Sequence, residues 1–168
     1  MKKQLTLGLP LRIAAIDAAI VTVALMLPAA AHAIGVGTRF LEPMRMALLA
    51  VVLLVPQRKN AYLVALALPW ISCAFTGMPV VWMAAMMSAE LTLNAFVLYK
   101  LLDLKVFPGL AVLVSILTSK AMYYAMKWLL IQTALIPQTP VVGNMAAMVI
   151  ATALLSVLFV FGSKLIKR

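Results

Sequence analysis

The chain consists largely of apolar runs that are separated by short loops. A helix needs about 20 predominantly apolar residues to cross a membrane, and the 168 residues contain six runs of roughly that kind. The pattern predicts an all-α integral membrane protein, a six-transmembrane-helix bundle in which residues 1–168 form a single transmembrane domain. The predicted spans are Leu11–Ala31, Leu41–Val55, Ala61–Phe75, Val80–Tyr99, Val106–Ile131 and Val141–Gly162.

The composition supports this class. Apolar residues make up 66% of the chain and charged residues only 11%, and the mean hydropathy is +1.13. A soluble domain of this size needs far more polar surface. We therefore expect a multi-pass protein of the bacterial plasma (inner) membrane, surrounded by the lipid bilayer and without a soluble module.

The positive residues set the orientation. The net charge is +10, but the Lys and Arg residues lie in short loops and at the termini, so we predict no binding to nucleic acid. Lys and Arg favour the cytoplasmic side of a membrane protein, and both termini are therefore predicted to be cytoplasmic. The outer loops would be residues 32–42, 76–80 and 132–140. The cytoplasmic set has ten of the fourteen positive residues: Lys2, Lys3, Arg12, Arg58, Lys59, Lys100, Lys105, Lys164, Lys167 and Arg168.

Motifs for catalysis or cofactor binding are missing from the sequence. It has one His and one Cys, too few for a zinc site built from these residues. Gly35 and Gly37 lack the rest of a dinucleotide or phosphate-binding pattern. We predict that the chain is not an enzyme, holds no metal or cofactor, and depends on another subunit for ATP hydrolysis if it transports actively.

A carboxylate lies in the middle of the fourth predicted span. Glu90 is followed one turn later by Asn94, and Met83, Met86 and Met87 precede it. Ionisable residues within membrane spans usually serve function, and flexible thioethers suit a pocket for a small ligand. We interpret Glu90 and Asn94 as substrate-binding residues. The alternative is that Glu90 only joins helices, through Lys120 or a backbone group.

A polar stripe follows on the fifth span. Lys120, Tyr123, Tyr124 and Lys127 lie at helical spacing on one face. Lys120 and Tyr123 are predicted to contact the substrate. A structural ion pair between Lys120 and Glu90 is the alternative, because pairing reduces the cost of burying both charges.

The first outer loop offers further candidates. His32, Arg39, Glu42 and, just after the loop, Arg45 face either a ligand or water, and a charged loop is more often solvated. We interpret His32, Arg39 and Arg45 as substrate-binding residues. Trp82, just after the second outer loop, is predicted either to stack on the ligand or to anchor the chain at the membrane interface. With Lys120 and Lys127 these cations outnumber Glu42 and Glu90, so an anionic solute is expected.

The first span has two pairs of small residues at i, i+4 spacing, Ala14 with Ala18 and Ala15 with Ala19. Small residues allow helices to approach closely in lipid. This face is predicted to dock a partner. Packing against another helix of the same chain is the alternative.

Three groups of residues follow one another along the chain: an alanine face before a His/Gly-rich loop, a proline-bearing third helix that ends in Thr-Gly-Met-Pro, and Glu-Leu in the fourth helix followed by Ser-Lys and Tyr in the fifth. These residues are His32, Gly35, Gly37, Phe40, Leu41, Pro43, Met44 and Arg45; Pro69, Ser72, Thr76, Gly77, Met78 and Pro79; and Glu90, Leu91, Ser119, Lys120 and Tyr123. With these residues the chain resembles, from about residue 10 to residue 130, the substrate-binding S components of energy-coupling factor (ECF) vitamin transporters.

The resemblance implies a subunit that captures a vitamin-like solute near the outer face of the membrane, under its three outer loops. It also implies a transmembrane coupling subunit and cytoplasmic ATPases as partners that supply the energy. The alternative to such an uptake subunit is a structural multispan membrane scaffold without transport, comparable to the rod-shape protein MreD. The two differ in whether polar groups converge on a closed outer pocket.

Overall fold

The computed structural model describes residues 2–33, 42–55, 57–135 and 145–166, with side chains described outside 2–10, 28–33, 145–148 and 166. These residues form six α-helices and no strand. The helices are α1 Lys2–Ala33, α2 Pro43–Leu54, α3 Arg58–Thr76, α4 Val81–Asp103, α5 Pro108–Gln132 and α6 Met145–Ile166. The predicted all-α class is confirmed.

Local sequence explains several helix ends. Pro43 and Pro108 stand in the first turns of α2 and α5, where the missing N–H costs nothing and the fixed φ suits a helix. Gly77 ends α3 in the left-handed conformation with φ 71°, which glycine adopts without strain. Proline at a helix start and glycine at a helix end thus delimit three of the elements.

The boundaries differ from the predicted spans at a few places. α1 has 32 residues and includes His32 and Ala33, so the predicted loop over 32–42 begins too early. α4 continues to Asp103, four residues past the predicted end at Tyr99. The reason is that hydropathy marks only the apolar part of a helix, whereas backbone hydrogen bonds continue through charged end turns.

α2 has a central place in the packing. It contacts α1, α3, α4 and α6, while α5 packs between α4 and α6. Leu48 and Val51 of α2 are fully buried. On the far side of the bundle, Gly109 permits close approach of α5 to α6, because a Cβ there would lie 2.9 Å from Val160 Cγ2. Buried apolar side chains form two clusters, one among α1 to α4 and one among α2, α4, α5 and α6, and Val52 of α2 packs against both.

One end of the bundle brings several positive residues together, and we call it the basic end. It contains the end of α2, the start of α3 and the end of α4, and Arg58 of α3 hydrogen-bonds Asp103 of α4 there. Lys59, Lys100 and Lys105 belong to the same end.

Two of the described helices are long and apolar enough to cross a membrane, namely α4 and α5. α2 and the segment Val149–Leu165 of α6 are apolar but shorter. This supports an association of the chain with a membrane.

Candidate functional site

Four charged side chains from the start of α2 and from α4 and α5 meet inside the bundle. Arg45 contacts the carboxylates of both Glu42 and Glu90. Lys120 Nζ lies 3.0 Å from Glu42 Oε1 and 3.1 Å from Glu90 Oε1. Each cation therefore contacts each carboxylate, and we call these four residues the four-charge cluster. The ion pair between Glu90 and Lys120, which the sequence left as an alternative, is present.

The cluster lies deep because α2 is short. α2 has 12 residues, whereas α4 has 23, and both end near the basic end of the bundle. The first turn of α2 is therefore about level with Glu90, which is roughly 14 Å along α4 from Val81 at 1.5 Å per residue. A helix N-terminus with its partial positive charge thus stands beside the carboxylates in the middle of the bundle.

Burial divides the cluster into an inner and an outer pair. The side chains of Arg45 and Glu90 are 3% and 5% exposed. Those of Lys120 and Glu42 are 17% and 23% exposed. Because buried charges carry a large desolvation cost, the inner pair depends on its mutual contact, whereas the outer pair retains some access to solvent.

The cluster borders a cavity of about 190 Å³. Typical pockets for drug-sized ligands begin at about 300 Å³, so this one suits a small molecule or one chemical group of a larger molecule. Charged groups line one part of it, and apolar side chains line the rest. The lining residues are Glu42, Pro43, Met44, Arg45, Met87, Glu90, Leu91 and Lys120.

Several hydrogen-bond donors of Arg45 and of the first turn of α2 have no partner within the described part of the protein. Arg45 Nε is buried without a hydrogen-bond partner. The start of α2 has no side-chain cap, and Pro43 contributes no N–H, while Met46 N–H donates to Glu42 O at 2.9 Å. The N–H groups of Met44 and Arg45 belong to the turn whose donors have no partner within the helix. The site can therefore donate to a ligand oxygen.

A neutral polar pair lies one turn further along α4. Asn94 and Ser119 are both fully buried, and Asn94 Nδ2 donates to Ser119 Oγ at 3.3 Å. Asn94 Oδ1 has no hydrogen-bond partner. Asn94 therefore lies one helical turn past Glu90 on α4 and does not line the cavity.

The two predicted aromatic site residues have different positions. The Tyr123 ring centroid lies 5.7 Å from Lys120 Nζ, close enough for a cation–π contact. Trp82 is half-buried in the first turn of α4 and is not among the residues that line the cavity. The structure thus places Tyr123 at the cluster and leaves Trp82 apart from it.

The sequence grouped Arg45 with the residues of the first outer loop, facing either a ligand or water, and this loop position is wrong. Arg45 stands in the first turn of α2 and is only 3% exposed. The helix begins at Pro43 and carries Arg45 inward, where two carboxylates neutralise it. Of the other predicted loop residues, His32 belongs to α1 with its side chain outside the described residues, and Arg39 lies wholly outside them.

The cluster is neutral overall, with two cations and two carboxylates. The excess positive charge that the sequence suggested for the ligand site does not come from Arg45 and Lys120, since Glu42 and Glu90 offset them.

The alanine face of α1 is on the outside of the bundle. Ala14, Ala15, Ala18 and Ala19 are all exposed. Among the residues that the structure describes, the exposure of these four side chains favours the predicted docking of a partner over packing against another helix of this chain.

Sequence reasoning missed three features that tie the helices together. Asn60 Nδ2 donates to Asp17 Oδ2 at 2.6 Å, which joins α3 to α1. The pairing of Arg58 with Asp103 joins α3 to α4. Glu42, which the sequence offered only as a loop residue facing a ligand or water, pairs with Arg45 and Lys120. Its position three residues before Arg45 was the available signal, since such pairs share a helix face. The carboxyl of Asp17 within an apolar run was a second signal.

No group of three or more His, Cys, Asp or Glu side chains in the described parts of the chain comes together to hold a metal ion. No protein-family model, no curated protein and no solved structure matches the chain. What the site can bind must therefore be derived from its geometry.

Proposed function

We propose that the chain is a multi-pass protein of the bacterial plasma membrane that crosses the bilayer six times, with the 12-residue α2 covering only part of the second crossing. Large apolar side chains that point away from the interior support this. Examples are Val23 of α1, Leu66 of α3, Phe96 of α4, Leu117 of α5 and Leu158 of α6, each between 46% and 62% exposed. In water such a surface would aggregate, whereas a bilayer covers it.

The proposed topology has both termini in the cytoplasm, in accord with the cluster of Lys and Arg at the basic end. Cysteines introduced at positions 3 and 167, in a Cys73→Ser background that removes the one native thiol, test it. Membrane-impermeant maleimide should label neither site in intact cells and both sites after permeabilisation. Labelling of either site in intact cells would disprove the topology.

We infer that the protein captures a small vitamin-like solute, expected to carry a carboxylate, for uptake into the cell. The cavity beside the four-charge cluster supports this most strongly. Membrane interiors rarely contain ionisable residues without a functional reason. Here such groups border a cavity, and one of them, Arg45, has a nitrogen without a hydrogen-bond partner among the described residues. Transporters use the N-termini of short helices in the same way to hold anionic groups.

The energy for uptake would come from separate subunits, a transmembrane coupling protein and cytoplasmic ATPases. The exposed alanine face of α1 is the proposed docking surface for the coupling subunit. Ala15→Leu and Ala18→Leu should weaken co-purification with that subunit and leave solute binding intact, because bulky side chains separate the helices. If the variants lose both solute binding and their stable fold, the alanine face packs within the chain and the docking proposal fails.

A structural membrane scaffold is the second candidate function. The observation in its favour is that each charge of the cluster already has two partners of opposite sign. Such a closed network can serve to hold α2, α4 and α5 together, with no ligand involved. Solute binding distinguishes the two candidates.

The decisive experiment is to identify solutes that the purified protein retains. The wild type is purified in mild detergent, and the released small molecules are analysed by mass spectrometry. Lys120→Met should lose the retained solute, with affinity reduced more than tenfold, which corresponds to about 1.4 kcal/mol. Lys100→Met is the matched control, because Lys100 is exposed and contacts Phe96 away from the cavity.

Retention by the wild type and by Lys100→Met but not by Lys120→Met supports capture. If all three proteins release the same background molecules, the scaffold is favoured and the uptake proposal fails.

A further inference from the structure

The two carboxylates of the cluster have different structural settings. Glu90 lies in the middle of α4 with its side chain 5% exposed. Glu42 stands at the N-cap position just outside α2, makes no capping hydrogen bond, and is 23% exposed. Both contact the same two cations, Arg45 and Lys120. Glu90 is therefore held within a helix, whereas Glu42 reaches the cluster from the margin of the cavity.

The charge balance shows what Glu42 contributes. Arg45, Lys120 and Glu90 alone carry a net charge of +1, and Glu42 brings the total to zero. If the side chain of Glu42 turned away, one guanidinium nitrogen of Arg45 and one N–H of Lys120 would become free. These would join Arg45 Nε, which is already without a partner, and the start of α2. Such a set of donors matches a single carboxylate in charge and in hydrogen bonding.

We propose that Glu42 is an internal stand-in for the solute, and that a small monocarboxylate binds by displacing the Glu42 side chain from Arg45 and Lys120. This inference rests on the proposed capture function and names the class of solute. It reconciles a neutral cluster with an anionic solute, because one carboxylate replaces another and the buried charge stays balanced. Glu42 then competes with the solute and lowers the affinity of the site.

Replacing Glu42 tests the inference directly. Full-length wild type, Glu42→Ala and Glu42→Gln are purified in detergent and titrated calorimetrically with nicotinate and with nicotinamide, its neutral amide. Both variants should bind nicotinate at least tenfold more tightly than the wild type, which corresponds to about 1.4 kcal/mol. Their affinity for nicotinamide should stay within threefold of the wild-type value.

Thermal stability gives a second readout that also applies if a variant is less stable. Millimolar acetate should raise the melting temperature of Glu42→Ala by several degrees, because it supplies the missing carboxylate. Acetamide should not do so. Asp103→Ala is the matched control: it also removes a carboxylate bound to an arginine, but at an exposed place that does not line the cavity. Acetate should leave its melting temperature unchanged.

The outcomes separate this inference from the function on which it rests. If the wild type retains a solute but the Glu42 variants bind nicotinate no more tightly and acetate does not stabilise them, Glu42 is not a stand-in and the capture proposal still holds. Tighter binding of nicotinamide than of nicotinate by the variants also overturns the inference. If the wild type retains no solute, the capture proposal fails by its own test.

Discussion

Two arginine–carboxylate contacts join other helices to α4. They pair the same chemical groups but differ in burial and in geometry. Arg45 contacts Glu90 in the middle of the bundle, and Arg58 contacts Asp103 at the basic end. In each pair the partners are 45 residues apart in sequence. The Arg58 pair has two parallel hydrogen bonds of 2.8 and 2.5 Å, and its side chains are 55% and 54% exposed.

Environment, more than geometry, determines what each pair can do. The bidentate geometry of Arg58 with Asp103 is the better one for a single pair, but water and salt solvate both groups whether or not they meet. The Arg45 guanidinium contacts two carboxylates. Because it is buried, the loss of either contact would leave charge that water does not solvate. The cluster therefore depends on each of its contacts, whereas water can replace the contact of the exposed pair.

Glu90→Gln should have the largest effect on stability. It keeps the shape of the side chain but leaves Arg45 and Lys120 with one carboxylate between them. Removal of one partner from a buried ion pair typically costs 3–5 kcal/mol, and we expect about 3 kcal/mol because Glu42 stays in contact with both cations. The free energy of unfolding of the wild type and the variant is measured in mixed micelles with increasing dodecyl sulfate. A loss below 1 kcal/mol would show that water reaches the cluster freely.

Lys120→Met should lower the free energy of unfolding by less than Glu90→Gln does, and a second substitution should partly restore it. Alone it leaves Glu42 and Glu90 with one cation, and an unsatisfied charged group of this kind costs about 2 kcal/mol. In the double variant Glu42→Gln/Lys120→Met the cluster is neutral again, and about 1 kcal/mol should be recovered, within the range of couplings between contacting residues. Additive effects in the same unfolding measurement would contradict the idea of a charge-balanced cluster.

The sequence predicted the helical fold well because each span is recorded locally as a run of apolar residues. It also offered an ion pair between Glu90 and Lys120 as an alternative, so their contact was foreseeable. The position of Arg45 was not, because it depends on the length of α2, and that length follows from Pro43 starting the helix in the middle of the bundle. Arg58 with Asp103 was unpredictable for a different reason: many charged residues lie at the basic end, and nothing local selects the pair.

Ser119→Ala tests the neutral polar pair beside the cluster, and the expected loss is about 1 kcal/mol, since a buried Asn94 N–H then has no acceptor. Ser115→Ala is the matched control. Ser115 and Ser119 are both fully buried on α5, and each donates to a carbonyl of its own helix. Only Ser119 accepts a hydrogen bond from Asn94. Equal losses for the two variants would mean that the Asn94 contact contributes nothing.

Asp103→Asn should have the smallest effect, although it removes the better-formed of the two arginine pairs. Both side chains are more than half exposed, so water replaces the lost contact, and Arg58 also keeps its position 5.1 Å from the ring centroid of Tyr99. The loss in free energy of unfolding caused by Asp103→Asn should become smaller still as salt is raised from about 0.01 to about 0.5 M. The reason is that exposed charges are screened over about 10 Å at 0.1 M salt. The loss caused by Glu90→Gln should hardly depend on salt. An Asp103→Asn effect as large as that of Glu90→Gln would refute the view that burial, more than geometry, decides the strength of the two contacts.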